Sequence, residues 1–122
     1  MKILITGGKG MLGRTLLREL GSTTEGERSD NEIVIADLPE WDITDDTGFV
    51  TKVGEVKPDL IVHCAAMTKV DDCEAKRDLA FKLNEEGSRN VAHLVQLIHQ
   101  VLFVMQAAGC VNDEQVGFLR LG

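Results

Sequence analysis

Residues able to do chemistry concentrate in one short stretch of this 122-residue chain, TGGKGMLG from Thr6 to Gly13. Gly8, Gly10 and Gly13 spell GxGxxG, and Gly7, Gly10 and Gly13 spell GxxGxxG. In both patterns one glycine permits a tight turn, another lets backbone approach a pyrophosphate, and the last lets a helix pack closely on a strand. The amides and positive dipole end of a helix starting near Met11 then face the anion. Glycines also serve ordinary turns, so the surroundings decide. Asp37 lies roughly 20 residues further on, as a ribose contact requires. An acid there accepts from the ribose hydroxyls and repels a 2′-phosphate, which favours NAD over NADP; its bland role is to end a strand. Arg28 reaches a 2′-phosphate only if its loop folds back. Cys64, Cys73 and Cys110 form no CxxC pair, and His63, His93 and His99 do not complete a zinc set. No metal is expected, and reduced thiols fit a cytoplasmic setting.

The elements that must position these groups are legible in the apolar pattern. Lys2 to Thr6 reads as a strand buried on both faces, and Leu12, Leu16, Leu17 and Leu20 mark a helix from Met11 to Leu20. The glycines therefore join a strand to a helix. Gly21 to Asn31 is polar and reads as a surface loop. Glu32 to Asp37 is a second strand, followed by an irregular stretch around Pro39. Thr44 suits the N-cap of a short helix carrying Phe49, Val50, Val53 and Val56 on one face, with Pro58 ending it. Asp59 to Ala66 is a third strand. Ala75, Leu79, Leu83, Val91 and Val95 predict a long helix to about His99, weakened at Gly87. Val101 to Met105 suits a fourth strand. The alternation predicts a parallel sheet with right-handed crossovers.

Length allows one domain, and 43% hydrophobic with 27% charged residues is a globular balance. A net charge of −7 without a cluster of Lys and Arg argues against nucleic acid. The start lacks the pattern of a secretory signal. HLVQLIHQVLFVMQAAG is broken by His and Gln and falls short of a membrane span.

TGGKGMLG, WDITD and KPDLIVHCAAMTKVDDCEAKRDLAFKLNEEGSRNVA together resemble the dTDP-4-dehydrorhamnose reductase family, in the extended branch of the short-chain dehydrogenase/reductases. The resemblance covers about residues 1 to 95. It implies an α/β, Rossmann-like parallel sheet of three to four strands with flanking helices, truncated: residues 1–100 as a partial NAD(P)-binding domain and 101–122 as a divergent tail. It implies Gly7 and Gly10 to Gly13, with Met11 and Leu12, against the pyrophosphate and Asp37 at the adenosine ribose. Asp42 and Ile43 lie beside the adenine, and Ala65, Ala66 and Met67 along the cofactor towards the nicotinamide. Met67 departs from the aromatic or His often found there. Thr68 to Asp71 match a loop near the sugar-nucleotide pocket, and Asn84 a structural Asn. Read without the resemblance, Asp42 suits a turn cap, Ala65 and Ala66 suit packing, and Asp71 or Asp72 suits a helix cap.

The chemistry the family implies is hydride transfer from NAD(P)H to a nucleotide-linked 4-keto sugar. It uses a Ser or Thr and a Tyr-x-x-x-Lys pair, in which the Tyr is general acid. This chain contains no tyrosine, so no catalytic residue is assigned. Three readings follow: the cofactor half of a split or truncated reductase, inactive alone; a non-catalytic dinucleotide-binding regulatory or partner-binding subunit; or a gene remnant. A bare sheet edge suits a homodimer or a complementing chain, with which alone a nucleotide-sugar would bind.

Overall fold

A computed structural model of the protein describes residues 1–21, 30–97 and 102–105. The apolar runs form four parallel strands, β1 (Lys2–Thr6), β2 (Glu32–Ala36), β3 (Leu60–His63) and β4 (Leu102–Met105), in the order β2-β1-β3-β4. The expected α/β sheet is thus present. β1 lies between β2 and β3, with Thr6 opposite both Ala36 and His63. A central strand loses water on both faces, which is why KILIT is apolar without alternation.

Helix α1 (Met11–Gly21) covers one face, with Leu16, Leu17 and Leu20 packed on Ile3, Ile5 and Val62. The other face carries the larger cluster: Leu4 and Ile61 meet Phe49 and Val53 of α2 (Asp46–Val56). A C-terminal helix supplies Val91, Leu94 and Val95 to the same cluster. Right-handed crossovers require this division. The β1 to β2 connection runs one way along the sheet and the later connections run the other.

Several boundaries differ from expectation, each for a physical reason. The cap of α2 is Asp45, whose Oδ1 accepts the Gly48 amide at 3.1 Å. Thr44 instead turns its amide and hydroxyl onto Asp42. β2 stops at Ala36 and β3 at His63, so Asp37 and the segment Cys64–Ala66 stand just beyond the strand ends. The single long helix is broken into α3 (Val70–Ala75), α4 (Arg77–Phe81), a π-helical turn (Lys82–Gly87) and α5 (Ser88–Leu97). Lys76 leaves helical geometry (φ −128°, ψ 56°), and the wider π turn shifts the phase of the stripe. Ala75 and Leu79 are therefore exposed, and Ala80, Asn84, Gly87 and Val91 face inward. Gly87 is there for clearance, since a Cβ on it would meet the Ile43 side chain at 2.6 Å. Lys69, not Asp71 or Asp72, occupies the N-cap of α3; the two acids lie in its first turn. Arg28, His99 and the segment after Met105 lie outside the described residues. Among the described residues no helix is long and apolar enough to cross a membrane.

A buried polar line ties sheet to helix. Thr6 and His63 are respectively 0% and 2% exposed, and Thr6 Oγ1 lies 2.6 Å from His63 Nδ1. His63 Nε2 lies 2.9 Å from Ser88 Oγ on α5. Burial pushes the imidazole down from 6.5 to about 4, so folding requires the neutral ring. The unfolded chain then binds more protons than the native one below 6.5, and stability falls as pH drops from there towards 4. Thermal melts between about pH 7.5 and 5 are expected to lose about 2 kcal/mol through this group. His63→Asn should flatten that slope.

Candidate cofactor site

In an open parallel sheet, ligands bind beyond the carboxyl ends of the strands where the order of connections reverses. Here that point lies between β1 and β3. A cleft of about 310 Å³ opens there, its walls formed by Gly7 and Gly10, by Asp37, Trp41 and Asp42, and by Cys64, Ala65 and Ala66. Lys9, Ile43 and Leu83 also reach it. A larger depression of about 420 Å³ runs along Glu74–Leu79. One continuous stretch of sequence, spanning the break between α3 and α4, makes it, and no glycine or strand end is among its lining residues.

The glycines divide into two kinds. Gly7 has φ +71°, and a Cβ on it would lie 2.6 Å from Ala65 N. A Cβ on Gly13 would strike the Gly7 carbonyl and lie 2.6 Å from Gly8 Cα. Both are demanded by the protein's own packing. Gly10 is different: its nearest neighbour would be the Gly7 carbonyl at 3.2 Å, and the residue is otherwise open. Beyond that carbonyl and the adjoining residues, nothing the structure places lies within 4 Å of where a Cβ on Gly10 would stand. It caps α1, with its carbonyl accepting the Arg14 amide at 3.0 Å. The amides of Met11, Leu12 and Gly13 in that first turn have no intrahelical acceptor. No acid occupies the turn, whereas α2 starts with Asp45 and Asp46. The side chains of Met11 and Leu12 are exposed, so these residues offer backbone rather than side-chain contacts.

Asp37 takes a role the sequence did not reveal. Its Oδ1 accepts the Gly8 amide at 3.0 Å and its Oδ2 accepts the Lys9 amide at 2.8 Å. The acid stands at the cleft as expected, but it also braces the first half of the glycine loop. Lys9, unnoticed in the sequence, brings its ammonium to 3.5 Å from the Leu38 carbonyl beside it. Asp42 Oδ1 accepts from the Thr44 hydroxyl at 2.6 Å and amide at 2.9 Å. Those bonds, hydroxyl first and amide second, hold its carboxyl below 3.8, with a smaller contribution from the Lys82 charge, against slight desolvation. The turn-capping and cleft-lining roles of Asp42 coexist. Ile43 is chiefly core, and its carbonyl accepts from Asn90 Nδ2 at 3.0 Å. Trp41 packs edge-on against Phe49 with centroids 5.8 Å apart.

On the opposite wall, Cys64 and Ala65 donate their amides to Thr6 Oγ1, each at 3.2 Å. Met67 is clamped by Asn84, which accepts its amide at 2.8 Å and donates to its carbonyl at 3.0 Å. The backbone of Met67, next after the lining residue Ala66, is therefore fixed. Burial, then the Asp37 charge, push the Cys64 thiol up, away from the reactive thiolate. The structure thus brings Gly7, Gly10, Asp37, Asp42, Ile43, Ala65 and Ala66 to one cleft, whereas Met11, Leu12, Gly13 and Met67 follow lining residues in the chain and are not among them.

The family model described as RmlD substrate binding domain matches residues 1–111. A dTDP-4-dehydrorhamnose reductase of Streptomyces griseus is 35% identical over 99 residues, covering 81% of this chain and 31% of that protein. Among solved structures, a dTDP-4-dehydrorhamnose reductase of Bacillus anthracis in complex with NADP is 40% identical, with a TM-score of 0.71. The match covers 83% of this chain and 34% of that one. A Clostridium acetobutylicum dTDP-4-dehydrorhamnose reductase gives 36% identity, the same TM-score and the same coverage of both chains. The chain spans about a third of the length of such relatives. With the family model matched along nearly all of its length, on a parallel sheet whose switch point holds the glycine turn, the chain belongs to the RmlD substrate binding domain family.

Proposed function

We propose that this chain is the NAD(P)-binding portion of a dTDP-4-dehydrorhamnose reductase-like oxidoreductase, with residues 1–100 as the binding unit and 101–122 as a divergent extension. The observation that carries the reading is the open space at Gly10, next to two glycines that the fold itself requires. A phosphate needs backbone amides without a Cβ in the way; Met11 to Gly13 offer the amides at a helix start, and Gly10, whose own amide donates to the Gly7 carbonyl, leaves the approach clear. In this reading Asp37 and Lys9 flank the adenosine ribose, Asp42 and Ile43 the adenine, and Ala65, Ala66 and Met67 the nicotinamide half. With Asp37 braced against the loop and the Lys9 ammonium close by, the ribose end tolerates a 2′-phosphate as well as a hydroxyl.

Reduced nicotinamide, when bound, supplies the hydride that turns a nucleotide-linked 4-keto sugar into an alcohol. This chain's own residues bind and orient the dinucleotide. A proton donor for the new hydroxyl is also needed, and the sequence holds no tyrosine to fill that role as the family does. The 122 residues are expected to bind but not to turn over, and to meet a sugar nucleotide only beside a complementing chain.

Thermal melts of the purified chain with NADH or NADPH test the reading. Nucleotide at about 100 times its dissociation constant should add about 2.7 kcal/mol, a shift of several degrees in a domain of this size. No shift with either nucleotide would end the proposal. Gly10→Val should abolish the shift yet leave a cooperative melt, whereas Gly13→Ala should lower the melting point itself. Lys9→Ala is expected to weaken NADPH relative to NADH by up to about fivefold, the value of an exposed ion pair. Appearance of reduced sugar with the pure chain and NADPH would contradict the expected lack of turnover.

A further inference from the structure

Thr6 and His63 face each other across β1 and β3, at the level where both strands end. A threonine hydroxyl has one proton to give and two lone pairs to receive. Thr6 Oγ1 receives two amides, from Cys64 and Ala65. Its proton therefore goes to the third partner, His63 Nδ1, at 2.6 Å. That fixes the ring as the neutral tautomer with its proton on Nε2, which donates to Ser88 Oγ at 2.9 Å. Direction is thus set along the whole line: the two amides turn the Thr6 proton onto Nδ1, that bond selects the Nε2–H tautomer, and the Ser88 hydroxyl, able to donate or accept, takes the Nε2 proton. Gly7 closes the other side, because its backbone lies against Cys64 and Ala65 with no room for a Cβ.

We propose that His63 is a positioning residue for the cleft-facing turn Cys64–Ala66, acting through the Thr6 hydroxyl, with Ser88 Oγ accepting from its Nε2–H. The inference rests on the cofactor reading for its consequence, because that turn forms the nicotinamide wall of the cleft. It does not rest on it for the bonds. If the ring could not accept from Thr6, the hydroxyl proton would have to seek another acceptor. The rotation would take a lone pair away from Ala65, whose amide has no β1 carbonyl to replace it, unlike that of Cys64. The wall would loosen at the alanine rather than at the strand.

The test uses the full chain and three variants. His63→Asn places an amide oxygen near the position of Nδ1 and keeps the acceptor; His63→Phe keeps the ring and removes it. His63→Phe is expected to speed hydrogen exchange at the Ala65 amide by about tenfold and to weaken NADH by a similar factor, a change of about 1.4 kcal/mol. His63→Asn should stay within about twofold of the parent in both. Ser88→Ala should leave the fold and the Nε2–H tautomer unchanged and move only the Nε2 NMR signal of His63, because the Thr6 bond sets the tautomer; a proton moved to Nδ1 in this variant would overturn the proposal. Equal behaviour of the Asn and Phe variants, or an Ala65 amide indifferent to both, would overturn the proposal. Should His63→Phe fail to fold, the ring-nitrogen spectrum of the parent decides: a proton on Nδ1 at neutral pH overturns it, and one on Nε2 alone supports it. If the parent binds no nucleotide while the Ala65 amide still follows the variants, the cofactor reading fails and the positioning line stands.

Discussion

Everything at the cleft depends on one close approach, the backbone of Gly7 against the backbone of Cys64 and Ala65. β1 and β3 are in register with Thr6 opposite His63, so both chains leave the sheet at the same level. Neither can turn aside through a side chain, because a Cβ on Gly7 would lie 2.6 Å from both Cys64 C and Ala65 N. Gly7 escapes through a left-handed φ that side chains rarely adopt. Gly13 then brings α1 down onto the Gly7 carbonyl. Three elements meet with only backbone between them, and the wall they make is lined by amides. Such a wall suits a ligand that is anionic at its centre and flat at its ends.

The features that were readable in the sequence are those that one element decides alone. KILIT and LIVH lose water on both faces, and that is written in their composition; EIVIA, at the sheet edge, is just as apolar yet leaves Ile35 exposed. Glycine spacing is likewise local, since the turn and the helix start lie within eight residues of one another. What escaped reading is long-range. Thr6 and His63 are 57 positions apart, and Asp37 reaches back 28 and 29 positions to Lys9 and Gly8. A histidine in an apolar strand gives no sign of which hydroxyl awaits it. The helical stripe from Ala75 misled for another reason. Periodicity assumes constant pitch, and the break at Lys76 with the π turn after it changes pitch twice. The leucine at position 79 keeps helical spacing with its neighbours yet faces water.

Asn84 shows how that irregular segment still serves the cleft. Asn84 and Ser88, four residues apart, share a face of the helical segment, and Gly87 between them makes room for Ile43. One holds Met67 and the other holds His63, so the last turn of irregular helix secures both ends of the segment from 63 to 67. Among the described residues every fully buried side-chain nitrogen or oxygen finds a partner, and this cluster accounts for three of the polar residues involved. A half-satisfied network in that place would cost more than an apolar core.

Asp37 raises an electrostatic difficulty that the same geometry resolves. The chain already carries a net charge of −7, and a carboxylate at the rim should repel a diphosphate. Its two oxygens, however, are occupied by the amides of Gly8 and Lys9, which spread the charge into the loop. The loop amides are thereby shared out: the first pair belongs to Asp37, that of Gly10 donates to the Gly7 carbonyl, and those of Met11 to Gly13, at the positive end of α1, are left without an intrahelical acceptor. Without that internal anion the amides of Gly8 and Lys9 would face solvent and the loop would sample many shapes. With it, the turn is already ordered by folding, and ordering that folding has supplied need not be subtracted from the free energy of binding. An acid that looks like a selectivity filter in the sequence therefore serves first as the brace that makes the glycine turn rigid.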